Sequence, residues 1–232
     1  MQRPVASPKP RIPDDVRYIG ALAGCYALSD RRDEAGESIP VFACRMQSIT
    51  PYQAVLLATE IPRIGETVAA HFKDFGLIRA HATRIIPTGF VIEFTMDDAQ
   101  REKLAAKIMW RKKTGNAPEA DKRDFPRILP RNPRTVLTMP DGKLLPCFVI
   151  DVSQSGVAVS AAVLPPKGTP LAVGSLIGRV VRKLDVGFAV QFLENQPFEY
   201  LERMLLEPPG TAERIRAEME PADPVGSVSE AG

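Results

Sequence analysis

The chain has 232 residues, of which 44% are apolar, so it is long enough for two packed domains and too apolar for a disordered chain. Its net charge is only +2, which provides no overall field for a nucleic-acid polymer. Its three cysteines, Cys25, Cys44 and Cys147, form no C-x-x-C pair, which argues against a cysteine metal motif or a disulfide framework and indicates the reducing cytoplasm.

The N-terminal residues, 1–14, are predicted to form a flexible arm because they include four prolines and show little periodicity. Leu22-Ala-Gly-Cys25 has the form of a lipoprotein cleavage box. Because Arg17 lies too close upstream to leave an apolar core, we expect no lipoprotein signal. No apolar run reaches the ~18 residues of a membrane helix, so we expect no membrane insertion.

Residues 15–113 are predicted to form a first unit of short strands and one helix. The turn at Thr88-Gly89 leads into Phe90-Val-Ile-Glu-Phe94, whose alternation predicts a half-buried strand. Asp97 or Asp98 can cap the helix that follows. The apolar face of this helix is predicted to include Leu104, Ala105, Ile108 and Met109 and to run to Trp110.

A linker at residues 114–121 leads directly into an arginine-rich segment. This segment reads Lys122-Arg123-Asp-Phe-Pro-Arg127-Ile-Leu-Pro-Arg131. From Arg101 to Arg134 there are eleven Lys/Arg against four Asp/Glu, so positive charge is concentrated in this part of the chain. Such a concentration favours an anionic ligand.

Residues 122–207 are predicted to form a second unit with a strand–turn–strand frame. Cys147-Phe-Val-Ile150 is typical of a buried strand, and it runs into the turn Asp151-Val-Ser153-Gln-Ser155-Gly156. Val157 and Val159 then lie on one face of a second strand. After Pro197, a helix is predicted with Phe198, Leu201, Met204 and Leu205 on one face. Residues 208–232 are predicted to be a disordered acidic tail.

The two units share one plan. Cys44 precedes Thr50 by the same number of residues as Cys147 precedes Ser153. The run from Arg84 to Phe94 corresponds in the same way to the run from Arg182 to Phe192, and both contain Phe-x-x-x-Phe after a glycine turn. An internal repeat of one small β domain is therefore predicted.

The arginine segment and the Asp151–Gly156 turn together resemble the signature of the PilZ family, R-x-x-x-R followed about two dozen residues later by D/N-x-S-x-x-G. The resemblance implies a mainly β protein of two small antiparallel PilZ-type β-barrels, each followed by a C-terminal helix. It also implies that the ligand is the bacterial second messenger cyclic di-GMP. Guanidinium forks match its phosphates and its guanine edges, and a carboxylate and a hydroxyl can accept from guanine donors. A glycine lets backbone approach the ligand or take a positive φ.

The binding residues that the resemblance implies are Arg123, Arg127, Arg131, Asp151, Ser153 and Gly156. Alignment on the strand Thr135-Val-Leu-Thr138 makes Arg123 and Arg127 the paired arginines, with Arg131 an additional contact. Arg127 and Arg131 have the same spacing, so the alternative pair stays open.

The first unit departs from the motif, because it reads Ser48-Ile-Thr50-Pro-Tyr52-Gln53 at the corresponding place. The carboxylate and the glycine are both missing, and Tyr52-Gln53 adds bulk. We expect a degenerate unit that binds no ligand and instead covers the other domain, senses its state or contacts a partner.

These observations predict a cyclic di-GMP receptor that is not an enzyme and has no cofactor or metal. Its only histidines, His71 and His81, lie in the unit without the motif, and no catalytic motif is present. Ligand is expected to order the arginine segment, rearrange the two units and signal to an unidentified protein partner.

Two other classes of protein remain as alternatives. A ligand-independent docking or structural PilZ-type protein is the alternative. A nucleic-acid-binding barrel would need aromatic stacking platforms, and the basic segment offers only Trp110 and Phe125.

Overall fold

The computed structural model describes residues 16–32, 36, 38–114 and 127–206. The chain divides into two compact units, with the division between residues 123 and 124. Within the described parts, each unit is a closed antiparallel barrel of six strands followed by a helix, which confirms the predicted fold class. The predicted arm, nearly all of the linker and the tail lie outside the described residues, and the domain boundaries stay predictions.

The first barrel contains six strands in the order β1-β2-β3-β6-β5-β4, and it is closed by pairing of β1 with β4. The elements are β1 Tyr18–Leu28, β2 Val41–Ile49, β3 Gln53–Leu57, β4 Thr67–Phe72, β5 Gly76–Ile86, β6 Gly89–Phe94 and helix α1 Asp98–Thr114.

The second barrel repeats this topology with the order β7-β8-β9-β12-β11-β10, closed by pairing of β7 with β10. The elements are β7 Arg134–Thr138, β8 Leu144–Ser153, β9 Gly156–Ala161, β10 Pro170–Val173, β11 Leu176–Leu184, β12 Gly187–Phe192, a 3-10 turn Phe198–Tyr200 and helix α2 Leu201–Leu206. The identical strand order confirms the internal repeat.

Each barrel has its own apolar core, built from the inward-facing residues that alternate along its strands. The phenylalanines of both Phe-x-x-x-Phe runs are buried as predicted: Phe90, Phe94, Phe188 and Phe192. Cys44 and Cys147 are also buried core residues. Burial raises the pKa of the Cys147 thiol to about 12, so this side chain behaves as a small apolar residue.

Helix α1 begins with a reciprocal cap. Gln100 N donates to Asp97 Oδ1 at 2.7 Å, and Asp97 N donates to Gln100 Oε1 at 3.1 Å. Asp97, rather than Asp98, is therefore the cap. The extent of the apolar face was predicted wrongly, because Met109 and Trp110 are 41% and 61% exposed. At about 100° per residue, these two positions lie beyond the stripe of Leu104, Ala105 and Ile108, which are buried.

Helix α2 is shorter than the pattern indicated. Pro197 has an extended backbone and precedes a 3-10 turn, so the α-helix begins only at Leu201. Leu201 and Leu205 are buried in the second core, and Met204 packs against it. The prediction for Phe198 was wrong, because its side chain lies in the 3-10 turn and is 42% exposed.

The two barrels also share their irregularities. The register between β2 and β3 shifts between Met46 and Ser48, and the register between β8 and β9 shifts between Val149 and Asp151. After these bulges, Ser48 pairs with Val55 and Asp151 pairs with Ala158. Position 48 of the first unit is thus equivalent to position 151 of the second. The predicted alignment of Ser48–Gln53 with Asp151–Gly156 follows from this register.

Candidate functional site

The predicted motif lies at the hairpin between β8 and β9. Asp151 and Ser153 belong to the end of β8, and Gly156 begins β9 and pairs with Ser153. Asp151, Ser153 and Gly156 all line one cavity of about 210 Å³ on the second barrel. The structure therefore brings these three predicted residues together.

Arg127 is brought to the same cavity by an isolated β-bridge. Ile128 N donates to Val152 O at 2.8 Å, and Val152 N donates to Ile128 O at 3.0 Å. This bridge fixes the chain beside Asp151, and Arg127 Nη1 donates to Asp151 Oδ2 at 3.2 Å. Both side chains keep partial access to solvent, so the guanidinium and the carboxylate remain available to a ligand.

Two hydroxyl groups lie at the turn. Ser153 is nearly buried, and its Oγ donates to Gly156 O at 3.3 Å and lies 3.4 Å from Ser155 Oγ. Ser155 O accepts from Phe192 N at 3.0 Å, which holds the turn against β12. Both serines line the cavity, and the turn that carries them is held by these bonds.

Gly156 is required for a reason other than a positive φ. Among the described residues, the glycines with positive φ do not include Gly156, so that part of the prediction was wrong. A Cβ built at this position would lie 2.5 Å from Val190 O of β12. The neighbouring strand, rather than the turn conformation, excludes a side chain here.

The floor of the cavity is a row of residues across four strands. Asp151 pairs with Ala158, Ala158 with Ala189, and Ala189 with Arg182. Opposite residues in antiparallel strands point to the same face, so this row places two alanines between a carboxylate and a guanidinium. With a strand spacing of about 4.8 Å, the ends of the row lie about 14 Å apart along the sheet.

Arg182 and Gln191 also line the cavity, and sequence reasoning did not assign them to the site. The register between β11 and β12 shifts between Val180 and Arg182, so a bulge at Val181 precedes the arginine. Bulges interrupt strict alternation and re-aim the following side chain. The correspondence between Arg84 and Arg182 in the repeat was the available signal.

The other two predicted arginines are not placed at the cavity. Arg131 does not line it, and its backbone N donates to Glu202 Oε1 of α2 at 2.9 Å. Arg123 lies outside the described residues. The choice between the pairs Arg123/Arg127 and Arg127/Arg131 therefore stays a prediction.

The equivalent row in the first unit is chemically different. Ser48 pairs with Val55, Val55 with Val91, and Val91 with Arg84. The two alanines of the cavity floor are thus replaced by valines, and the aspartate by a serine. In addition, Glu93 pairs with Gln53 in the first unit, as Gln191 pairs with Gly156 in the second. Glu93 is therefore equivalent to Gln191, and Gln53 to Gly156. A bulkier floor and an added carboxylate both disfavour an anion here.

The turn of the first unit is also covered by its own helix. The guanidinium carbon of Arg101 lies 4.5 Å from the centre of the Tyr52 ring. Its Nη1 donates to Pro51 O, and its Nη2 donates to Met96 O, both at 3.2 Å. Tyr52 therefore stacks on a residue of α1, which accounts for the bulk that the sequence placed at this turn.

Two further features of the described residues concern other kinds of site. They contain no group of three or more His, Cys, Asp and Glu side chains that could hold a metal ion. No described helix is both long and apolar enough to span a bilayer.

The chain is similar to several known proteins. No curated protein matches it. Among solved structures, the Borreliella burgdorferi PlzA protein in complex with c-di-GMP is 12% identical, with 79% of this chain and 86% of that chain covered and a TM-score of 0.25. YcgR in complex with c-di-GMP from Escherichia coli is 14% identical, with 84% and 83% covered and a TM-score of 0.26.

A third solved structure, the K. pneumonia MrkH-c-di-GMP complex, is 12% identical, with 84% of this chain and 85% of that chain covered and a TM-score of 0.24. Overlaps with such low TM-scores add nothing to the assignment. The family model of the PilZ domain matches residues 121–207, which include the bridge, the turn and the barrel described above. The match to the PilZ domain thus covers the second unit.

Proposed function

We propose that this protein is a receptor for cyclic di-GMP and that the ligand binds at the cavity of the second barrel. The observation that carries the proposal is the convergence of Arg127, Asp151, Ser153 and Gly156 on one cavity, in a unit that matches the PilZ domain. Guanidinium groups suit phosphate oxygens and the O6/N7 edge of guanine, and Asp151 can accept from guanine donors.

The charge of the cavity supports a role for further arginines. Arg127 and Arg182 with Asp151 leave one net positive charge among the lining residues, whereas cyclic di-GMP carries two phosphate charges. The volume of about 210 Å³ is also below the ~300–1,000 Å³ of typical small-molecule sites. A ligand of two nucleotides would therefore extend beyond the cavity, and Arg123, with Arg131 as an additional contact, would supply the missing positive charge.

The signalling part of the proposal follows from the place of these arginines. The arginine segment joins the linker to the cavity, so a ligand that gathers the guanidinium groups would order residues before Arg127. It would thereby change the arrangement of the two units and be read by an unidentified protein partner. A receptor for a second messenger would act in the cytoplasm.

Calorimetric titration of the purified full-length chain with cyclic di-GMP tests the proposal. We expect saturable binding that cyclic di-AMP does not match, because adenine lacks the N1–H and the 2-amino group of guanine that Asp151 would read. If the titration with cyclic di-GMP released or absorbed no heat of binding, the proposal would be overturned. A ligand-independent docking or structural protein would then be favoured.

Arg127→Ala is the sharpest variant for this titration. The loss of a charge-assisted fork should weaken binding by roughly 30- to 900-fold, equivalent to roughly 2–4 kcal/mol. The control is Lys183→Ala, because Lys183 is an exposed cation on β11 that does not line the cavity. Equal losses in both variants would indicate general charge attraction rather than this site.

A further inference from the structure

A second cavity, of about 330 Å³, lies in the first unit between α1 and the beginning of β5. Its floor is apolar, because Phe75, Ile78 and Leu104 are each at most 5% exposed. Leu77 also lines the cavity, and it is 67% exposed. A solvent-exposed leucine above a buried apolar floor offers contact area to an apolar group.

The rim of this cavity is cationic. Arg79 of β5 and Lys103 and Lys107 of α1 line it, and none of the lining residues is acidic. The two lysines are one helical turn apart and so lie on the same face. Lys107 Nζ donates to Phe75 O at 3.3 Å, which holds its ammonium group at the edge.

The neighbouring acid does not neutralise this rim. Asp74 Oδ2 lies 3.3 Å from Arg111 Nη1, so it is already paired. Among the residues that the structure describes, the side chains of Arg79 and Lys103 have neither a hydrogen bond nor an ion pair. Two cations without counterions beside an apolar floor favour a ligand that is anionic at one end.

We propose that this cavity binds a small organic anion with an apolar body, a carboxylate or phosphate monoester that carries one aromatic ring or a short acyl chain. The apolar body would cover the floor, and the anion would accept from the cationic rim. A volume of about 330 Å³ lies within the ~300–1,000 Å³ of small-molecule sites. The site uses neither the arginine segment nor the second barrel, so it stands independently of the cyclic di-GMP site.

The fluorescent probe 8-anilinonaphthalene-1-sulfonate, an anion with an aromatic body, tests the proposal in the full chain. Trp110 is the only tryptophan, it is 61% exposed, and it lies in α1 three residues after Lys107. Excitation of Trp110 should therefore give sensitised emission from probe bound at this cavity. Octanoate should displace the probe more readily than its uncharged analogue octanamide. The concentration that displaces half of the bound probe should be at least tenfold lower for octanoate.

A pair of double variants locates the effect. Lys103→Gln with Lys107→Gln should weaken the displacement by octanoate by about tenfold or more. Lys112→Gln with Lys113→Gln removes the same charge from the same helix outside the cavity and should leave it unchanged. Circular dichroism checks that all variants remain folded.

Equal effects of the two double variants would overturn the proposal, as would equal displacement by octanamide. Displacement by a glutamate-rich peptide but not by octanoate would assign the surface to a polypeptide partner instead. Displacement by cyclic di-GMP would show that the site is not independent. Failure of cyclic di-GMP to bind the second barrel would leave this proposal intact, because no shared residue is involved.

Discussion

Arg127 and Asp151 are paired with each other in the structure, although each is proposed to contact ligand. A partly exposed pair of this kind contributes about 0–1 kcal/mol to stability. Opening it to admit a phosphate or a guanine therefore costs little, and the bridge at Ile128 keeps the backbone in place. The pair holds the guanidinium at the cavity, where the proposed ligand would meet it.

Arg182 gives a prediction at the residue scale. Arg182→Ala should weaken binding of cyclic di-GMP by about tenfold or more, because it removes one of the two cations that line the cavity in the described part of the chain. Lys183→Ala, one residue further along β11, is the matched control and should bind like the unchanged protein. Calorimetry measures both. An Arg182→Ala variant that binds normally would restrict the site to the β8–β9 side.

Gly156→Ala should lower the stability of the second barrel as well as its affinity. A Cβ at this position would come within 2.5 Å of Val190 O, so the strands must separate. The effect should be about 1–3 kcal/mol, which is typical of overpacking, and it is measured by thermal unfolding. Gln53→Ala, at the equivalent position of the first unit, should leave the unfolding temperature nearly unchanged. An unaltered temperature for Gly156→Ala would mean that the close approach is relieved by a small shift.

At the scale of elements, the row Asp151–Ala158–Ala189–Arg182 relates strand pairing to the proposed ligand site. The strands could be predicted from alternation and from glycine turns, because both depend on local chemistry. The row could not, because it depends on two bulges, and the position of a bulge is defined by pairing with a neighbouring strand. For the same reason, Arg182 was recognised as a member of the repeat but not of the site.

Ala158→Val gives a prediction at this scale. The equivalent residue of the first barrel is Val55, which pairs with Ser48 as Ala158 pairs with Asp151. The fold should therefore accept valine at this position. The added methyl groups should fill the cavity floor and weaken cyclic di-GMP at least tenfold, without a change in charge. Val55→Ala in the first unit is the control and should not alter binding. If Ala158→Val bound normally, ligand would not reach the floor between Asp151 and Arg182.

The helices show another limit of sequence reasoning. The cap at Asp97 and the buried stripe of α1 follow from short-range rules, and both are present. The exposure of Trp110 depends on where the barrel ends beneath the helix, which is a long-range property. Similarly, the close contact of Gly156 with β12 joins residues far apart in sequence. The sequence itself therefore offered only approach of the backbone to ligand or a positive φ as reasons for this glycine.

At the scale of the whole molecule, the proposed division of labour predicts a pattern of hydrogen exchange. Cyclic di-GMP should slow exchange near Ile128 and at the turn Asp151–Gly156, because ligand would hold the bridge and the hairpin together. The turn Ser48–Gln53 should change little. Equal protection of both turns would identify a second binding site and exclude the proposed role of the first unit as a non-binding reporter.

The shared register of the two barrels means that the chain contains its own reference state. A substitution in the second barrel can be repeated at the same strand position of the first, in the same solution and on the same scaffold. Subtracting the effect of one variant from that of its counterpart removes the contributions common to both barrels. The remainder is the effect of the side chains that differ between the two barrels. Ser48→Asp, Val55→Ala and Val91→Ala would install the residues of the second barrel's row at the same positions of the first barrel. Adding them one at a time would measure how many of these changes are needed before the first barrel binds cyclic di-GMP.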